Sequence, residues 1–250
     1  MDLKNMKCKS KDEIFHNKCK FCGKDLKPIG LDYLYANIPI SSIEYERCDC
    51  EKSKSYWNEK DLKEEIQKKR KHFEQMIRQF YIRNYSSKRI QDYRFENFII
   101  TKTNKKEIEI AKDFTDKCIN KNQKNGLIIT GKSGVGKTHL ATAILNKLTE
   151  KDMLVLMGRL ILLLDVIKDT FKDFSSKEKD IIELYSKVDM LIIDDLGTER
   201  ISSWALEKLY TIIENRNENK LPIIVTTRFD KESLLDRFYQ SEDEELAEAV

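Results

Sequence analysis

The sequence predicts an α/β fold in which a mainly parallel sheet carries helices on both faces. A glycine-rich loop at residues 131–138 stands between an apolar run typical of a buried strand and a segment with helical periodicity. Strand-like and helix-like segments then alternate to the end of the chain, and strands that alternate with helices usually pair in parallel. A cysteine-rich segment comes first, so we expect a small module ahead of the α/β core.

Four of the six cysteines form two pairs near the N-terminus: Cys19 with Cys22, and Cys48 with Cys50. Two thiolates two residues apart can bind one metal ion, and a second pair can complete a tetrahedral four-thiolate zinc site. We predict this zinc module at residues 1–55, where zinc would order a short, turn-rich segment. Free structural or redox thiols are the alternative. Cys8 and His16 are candidate substitute ligands.

A long basic helix is predicted from Trp57 to Asn84, as a connector over residues 56–88. Its apolar side chains recur near heptad spacing, at Leu62, Ile66, Phe73, Ile77 and Phe80. This apolar stripe can pack on the core, on the cysteine module or on another protein, and packing within the chain is the simplest interpretation. The α/β domain would then occupy residues 89–250.

The periodicity within that domain predicts the elements in order. Helices are expected at 104–122, 137–148, 160–171, 178–186 and 202–217. Strands are expected at 127–129, 154–157, 190–195 and 223–227. Cys118 falls in a helical pattern and is predicted to be a small buried residue.

The loop matches the pattern G-x-x-x-x-G-K-[ST] at every fixed position. In such a loop the backbone N–H groups point at phosphates, and the following helix adds its partly positive N-terminus. We therefore predict ATP binding, with Lys137 at the β- and γ-phosphates and Thr138 as a magnesium ligand. The predicted nucleotide contacts are Gly131, Lys132, Ser133, Gly134, Val135, Gly136, Lys137, Thr138 and His139. A glycine-rich turn without a ligand is the alternative.

A second motif supplies carboxylates. The run Met190–Asp195 is a hydrophobic strand that ends in two acids, and a nucleotide-hydrolysing enzyme with such a loop needs a carboxylate to hold magnesium. We expect Asp194 to be the Mg²⁺ partner and Asp195 to orient or deprotonate the attacking water. A strand that ends in a solvated acidic turn is the alternative.

Composition limits the class of protein. The chain has 250 residues, of which 40% are hydrophobic and 36% charged, enough for one α/β core and a small satellite module. No apolar stretch is long enough to cross a bilayer and no signal peptide precedes the cysteines, so we expect a cytoplasmic protein. Basic residues outnumber acidic ones only in residues 1–100. That first part of the chain is the expected face for nucleic acid or an acidic partner, although a solvated helix face has the same composition.

These motifs resemble the DnaC/DnaI/IstB group of AAA+ ATPases over about residues 92–235. The resemblance lies in Arg94–Phe98, Gly131–Ala141, Leu191–Glu199 and Pro222–Thr227, with Trp204, Tyr210 and Arg216. The cysteine module is similar to the zinc-binding front end of DnaI-type and phage-encoded helicase loaders. The resemblance implies an ATPase that binds the replicative helicase through this module, helps place it on single-stranded DNA, and can self-assemble as AAA+ proteins do.

The sequence departs from the group at two places. Arg228 stands where the group usually carries asparagine, so a guanidinium rather than an amide would face the γ-phosphate as a catalytic residue. The chain ends at Val250, at the expected beginning of the helix that bears the arginine finger, so we expect the C-terminal AAA+ elements to be missing and intrinsic turnover to be weak. Two alternatives stay open: an IstB-like transposition helper that assembles on duplex DNA, and a truncated ATP-binding adaptor or inhibitor of the helicase.

Overall fold

The computed structural model describes residues 17–29, 44–84, 92–170, 178–239 and 244–250. The chain divides into two compact units, Met1–His72 and Phe73–Val250. The predicted domain boundaries near residues 55 and 88 stay predictions, and the second of them lies outside the described residues. Cys8 and His16, the candidate substitute zinc ligands, also lie outside the described residues.

The first unit joins two short bridged segments to the start of a long helix. Isolated antiparallel bridges pair Lys18 with Asp25 and Pro28 with Tyr45. Helix α1 (Glu51–Asn84) begins directly after the second cysteine pair, not at Trp57 as predicted. Its first turn is polar and carries no apolar repeat, so periodicity could not locate it.

Alternating strands and helices build the second unit, as predicted. The strands are β1 (Leu127–Thr130), β2 (Val155–Arg159), β3 (Met190–Leu196) and β4 (Ile223–Thr227). The helices are α2 (Lys105–Ile119), α3 (Lys137–Thr149), α4 (Leu160–Asp169), α5 (Glu178–Lys187), α6 (Ser203–Glu218), α7 (Lys231–Tyr239) and α8 (Glu244–Ala249). A short 3₁₀ turn covers Phe95–Asn97. That turn and α7 were not predicted, although Asp230 marks the start of α7 by accepting a hydrogen bond from the Ser233 N–H at 2.8 Å.

The four strands form one parallel sheet in the order β1-β4-β3-β2. Their carboxyl ends therefore meet at one edge, where the phosphate-loop motif and the paired acids both lie. The register places Ile192 opposite Ile224 on β4 and Met157 on β2. The predicted α/β class with a parallel sheet is confirmed.

Two apolar clusters cover the two faces of the sheet. Successive residues of β3 alternate between them, with Leu191 and Ile193 in one cluster and Met190 and Ile192 in the other. Helices α4, α5 and α6 contribute to the first cluster, and α2 and α3 to the second. Helices on both faces are thus confirmed. Cys118 is 4% exposed within the second cluster, as predicted.

The apolar stripe of α1 divides between two environments. Phe73 and Phe80 are each 6% exposed and belong to the first cluster, with Ile77 packed against it. Leu62 and Ile66 are each 57% exposed. Packing within the chain therefore accounts for the C-terminal part of the predicted stripe and not for its N-terminal part.

The end of α1 covers the outer edge of β2. Phe80 packs so closely on Gly158 that an added Cβ would lie 2.8 Å from its Cζ. The Tyr81 hydroxyl accepts a hydrogen bond from the Met157 N–H at 2.9 Å and donates to the Val155 carbonyl at 3.5 Å. This part of the helix is therefore an integral piece of the second unit.

A buried arginine joins the amino ends of two central strands. The Arg216 guanidinium is 1% exposed and donates to the carbonyls of Tyr185, Val188 and Pro222 at 2.9, 2.9 and 2.6 Å. Burial lowers its pKa to about 9. Val188 lies two residues before β3 and Pro222 directly precedes β4, so one side chain holds the chain at the start of both strands.

Candidate functional site

The loop between β1 and α3 adopts the backbone that its glycines permit. Gly131, Gly134 and Gly136 have φ values of 147°, 82° and 99°, a region that other residues rarely enter. Gly136 immediately precedes α3, so the loop leads directly into a helix N-terminus. This is the arrangement in which backbone N–H groups and the helix dipole together bind an anion.

The Lys137 side chain folds back over this loop. Its ammonium donates to the carbonyls of Gly131 at 2.7 Å and Lys132 at 3.0 Å. The charge is therefore held at the loop, where the motif predicts that phosphates bind. The loop residues 132–135 are exposed, so a phosphate group can reach them.

Thr138 and Asp194 meet across the gap between α3 and β3. The Thr138 hydroxyl donates to the two carboxylate oxygens of Asp194 at 3.0 and 3.2 Å. A hydroxyl and a carboxylate at this distance are oxygen ligands of the type that Mg²⁺ prefers. The residues predicted to hold magnesium are thus brought together, and their donor set fits that ion.

Thr226 on β4 was missed by the sequence reasoning. Its hydroxyl is fully buried, donates to Asp194 Oδ1 at 2.6 Å and accepts the Asp195 N–H at 2.8 Å. Asp195 lies at a register irregularity of β3 and has a φ of 56°. One hydroxyl therefore holds both acids at the point where the strand departs from regular geometry. The contact of Thr226 with the two acids could be predicted only from the parallel register, which places the end of β4 beside the end of β3.

Replacing Thr226 with valine keeps the side-chain shape and removes this hydroxyl. We expect Thr226→Val to lower the free energy of unfolding by about 2 kcal/mol, because the Asp194 carboxylate loses one of its two hydroxyl donors and the Asp195 N–H loses the Thr226 acceptor. Urea unfolding measures the change, with Thr226→Ser as the matched control that keeps the hydroxyl. A Thr226→Val chain as stable as the Thr226→Ser chain would contradict the role given to this hydroxyl.

Asp195 is paired with Arg228, the residue that departs from the related group. The Arg228 guanidinium lies 3.4 Å from the Asp195 carboxylate, and both side chains are partly exposed. Beyond them, the Thr198 hydroxyl lies 2.9 Å from the Asp195 carbonyl oxygen and 2.8 Å from a Glu199 carboxylate oxygen, and its one proton is shared between these two acceptors. Glu199 in turn accepts the Ile161 N–H of α4 at 3.2 Å. The turn after β3 is thereby anchored to the start of α4.

His139, the last of the predicted nucleotide contacts, stands in a stack of three rings. Its ring centroid lies 4.4 Å from that of Tyr93 and 3.9 Å from that of Phe98, with interplanar angles of 27° and 25°. Burial lowers the pKa of His139, which favours the neutral ring. Tyr93 and Phe98 were not predicted as site residues. They lie more than 30 residues before the loop in the sequence, and no local pattern links them to it.

The four predicted zinc ligands form one cluster in the first unit. Their sulfur atoms all lie within 4.8 Å of one another, with Cys19 to Cys50 at 3.9 Å and Cys22 to Cys48 at 3.5 Å. A tetrahedral zinc ion with Zn–S bonds of about 2.3 Å places its sulfur ligands about 3.8 Å apart. The four-cysteine cluster therefore fits zinc.

Each cysteine pair lies at a defined point of the local structure. Cys19 and Cys22 lie in a tight turn in which the Gly23 N–H donates to the Cys19 carbonyl at 2.9 Å and Gly23 has a φ of 76°. Hydrogen bonding from the Phe21 backbone lowers the pKa of the Cys19 thiol to about 6, which favours a thiolate ligand. Cys50 directly precedes α1 and its carbonyl accepts the Lys54 N–H at 2.9 Å, so the second pair lies at the start of the helix.

Among the helices of the described residues, none has the length and apolar character needed to span a bilayer.

Comparison with known proteins gives a consistent result. The family of "IstB-like ATP binding protein" sequences matches residues 45–250. The replicative helicase loader DnaC of Escherichia coli K12 is 32% identical over 107 residues, and the loader DnaI of Bacillus subtilis is 29% identical over 118 residues. These alignments cover 43% and 47% of this chain, but only 44% and 37% of the two relatives. The chain thus spans less than half the length of either relative.

A solved structure shares the fold. The crystal structure of the DnaC helicase loader aligns with a TM-score of 0.55 at 24% identity, over 65% of this chain and 94% of that one. At this level of identity the likeness concerns the fold alone.

Proposed function

Because the chain belongs to the family of IstB-like ATP-binding proteins, within the DnaC/DnaI/IstB-like AAA+ group, we propose that it is an ATP-dependent loader of a replicative DNA helicase. In this proposal the chain binds the helicase and helps place it on single-stranded DNA. The observation that supports it best is the presence, in one chain, of a phosphate loop facing Asp194 and a separate four-cysteine cluster.

The nucleotide chemistry follows from the site. Lys137 would neutralise the β- and γ-phosphates, and the N–H groups of the loop would bind their oxygens. Thr138 and Asp194 would hold Mg²⁺, which neutralises charge that develops on the phosphates. Asp195 would accept a proton from the attacking water, and Arg228 would have to leave that carboxylate to reach the γ-phosphate.

The partner chemistry rests on the first unit. The four cysteines lie in the first of the two compact units, where zinc would order the fold, and we assign helicase binding to this unit by its similarity to DnaI-type loaders. Assembly of several chains would be expected where a neighbour completes the ATP site.

One other function has a specific observation in its favour. The matching family carries the IstB name, and an IstB-like transposition helper would assemble on duplex DNA instead of binding a helicase. The four-cysteine cluster favours the loader, because the helper typically has no such module.

The test is the mass of this protein mixed with the replicative helicase of its host, with and without ATP. A complex that forms with the wild-type chain and is lost in Cys48→Ser would support the loader. No complex, together with ATP-dependent assembly on duplex DNA, would move the proposal to the transposition helper. Helicase binding without any ATP hydrolysis would instead indicate an adaptor or inhibitor.

A further inference from the structure

The ion pair between Arg228 and Asp195 is held in place by the backbone on both sides. Arg228 directly follows β4, where the Thr227 hydroxyl donates to the Leu196 carbonyl at 2.7 Å. The Asp195 N–H donates to the Thr226 hydroxyl at 2.8 Å, and the φ of Asp195 is 56°. The two side chains therefore start from fixed points on adjacent strands, and they meet at 3.4 Å between Arg228 Nη2 and Asp195 Oδ2.

Packing also fixes the turn that contains Arg228. The ring of the next residue, Phe229, lies against Gly197 in the turn after β3, where an added Cβ would be 3.1 Å from Phe229 Cδ2. Arg237 of α7 lies over the same ring, with its Cζ 4.9 Å from the ring centroid. The turn after β4 is thus packed against the turn after β3. The Arg228 side chain can leave Asp195 only by rotation about its own bonds.

The sheet register places Arg228 between the phosphate loop and the paired acids. Thr130, the last residue of β1, pairs with Thr227, the last residue of β4. Gly131 and Arg228 each come one residue later, so Arg228 begins beside the phosphate loop. Strand β4 lies between β1 and β3, so Asp195 is on its other side. The guanidinium therefore has two anions within its surroundings when ATP is bound: the γ-phosphate and the Asp195 carboxylate.

The distribution of cations favours the carboxylate. The Lys137 ammonium is already held at the loop, so the phosphates have a cation of their own. Among the described residues, Arg228 is the ion-pair partner of Asp195. If Arg228 left, an unpaired carboxylate would face the phosphate, and like charges repel. The planar fork of a guanidinium also matches a carboxylate well. Binding of ATP therefore gives Arg228 a reason to stay on Asp195.

We propose that Arg228 is a positioning residue that stays on Asp195 when ATP is bound and thereby slows hydrolysis. In this reaction a water oxygen bonds to the γ-phosphorus, and the bond to the bridging oxygen breaks, so that ADP leaves with the electron pair. The water proton passes to the Asp195 carboxylate. A guanidinium that donates to this carboxylate occupies an oxygen that the water has to reach. This inference rests on the proposed ATP site and gives Arg228 a restraining role, in place of the predicted contact with the γ-phosphate.

The test is Arg228→Asn, which replaces the cation with the amide that the related group carries. We expect single-turnover hydrolysis of bound ATP to become about 5-fold faster, the factor that corresponds to an exposed ion pair of about 1 kcal/mol. Arg228→Lys keeps the charge without the fork, so its rate should rise less. Arg200→Asn is the matched control, because Arg200 is an exposed arginine after β3 that is not paired with Asp195 among the described residues. Hydrolysis that is unchanged or slower in Arg228→Asn, or equally faster in Arg200→Asn, would overturn the inference.

A binding measurement separates restraint from contact with the γ-phosphate. If Arg228 stays on Asp195, the ratio of ATP affinity to ADP affinity should be the same in Arg228→Asn and in the wild type. A loss of affinity for ATP and not for ADP would mean that the guanidinium reaches the γ-phosphate, and this too would overturn the inference. Such a result leaves the loader proposal standing, because the helicase complex is measured separately. A folded wild-type chain that binds neither nucleotide would overturn both.

Discussion

Lys137→Ala should reduce ATP affinity by about 100-fold or more. The structure holds the ammonium on the phosphate loop through the Gly131 and Lys132 carbonyls. Charge-assisted hydrogen bonds contribute about 1.5–3 kcal/mol each, and the side chain would make them to two phosphates. Titration of a fluorescent ATP analogue measures the loss.

Lys132→Ala is the matched control for this change. Lys132 lies on the same loop and carries the same charge, but its side chain is exposed and the structure assigns only its carbonyl to the Lys137 contact. We expect its affinity for ATP to stay within a few-fold of wild type. Equal losses in the two variants would mean that general charge, and not the position of the Lys137 ammonium, attracts the nucleotide. No loss in Lys137→Ala would reject the nucleotide site.

Cys48→Ser should remove zinc and unfold the cysteine module. Three thiolates and a hydroxyl hold zinc far less well than four thiolates, and a structural zinc site contributes about 10–16 kcal/mol of apparent binding free energy to folding. Metal analysis should find about one zinc per wild-type chain and little in the variant. Thermal melting followed by circular dichroism should show that the variant lacks one transition. It should be the same transition that a chelator removes from the wild type.

Cys118→Ser provides the control for the loss of a cysteine. Cys118 is buried in the second unit, where burial raises the pKa of its thiol to about 12, so it stays a neutral thiol. The zinc content of the Cys118→Ser chain should equal that of the wild type. A wild-type chain that is folded and free of zinc would reject the metal site and favour the alternative of free or redox thiols.

The sequence predicted most of the regular structure because each element carries a strong local signal. The glycine loop, the apolar run that ends in Asp194 and Asp195, and the Cys19–Cys22 turn each depend on residues close together in the chain. Helix α7 and the Phe95–Asn97 turn carry no long apolar repeat, and they were missed. The first turn of α1 was missed for the same reason.

Contacts between distant segments were beyond the reach of the sequence. Thr226 holds the two acids only because β4 lies beside β3 in parallel register, and no local pattern marks it. Tyr93 and Phe98 reach His139 because the segment that contains them lies along α3. Both features depend on tertiary packing that periodicity does not encode.

The position of the Tyr81 hydroxyl affects the tendency of the protein to aggregate. An outermost strand with unbonded N–H and carbonyl groups is a template on which another chain can add a strand, and such edges promote aggregation. Tyr81 occupies the Met157 N–H and lies at the Val155 carbonyl, on the side of β2 that faces away from β3. The aromatic ring in front of these groups keeps an incoming strand from reaching them. The helix that follows the cysteine module therefore also protects the sheet from self-association.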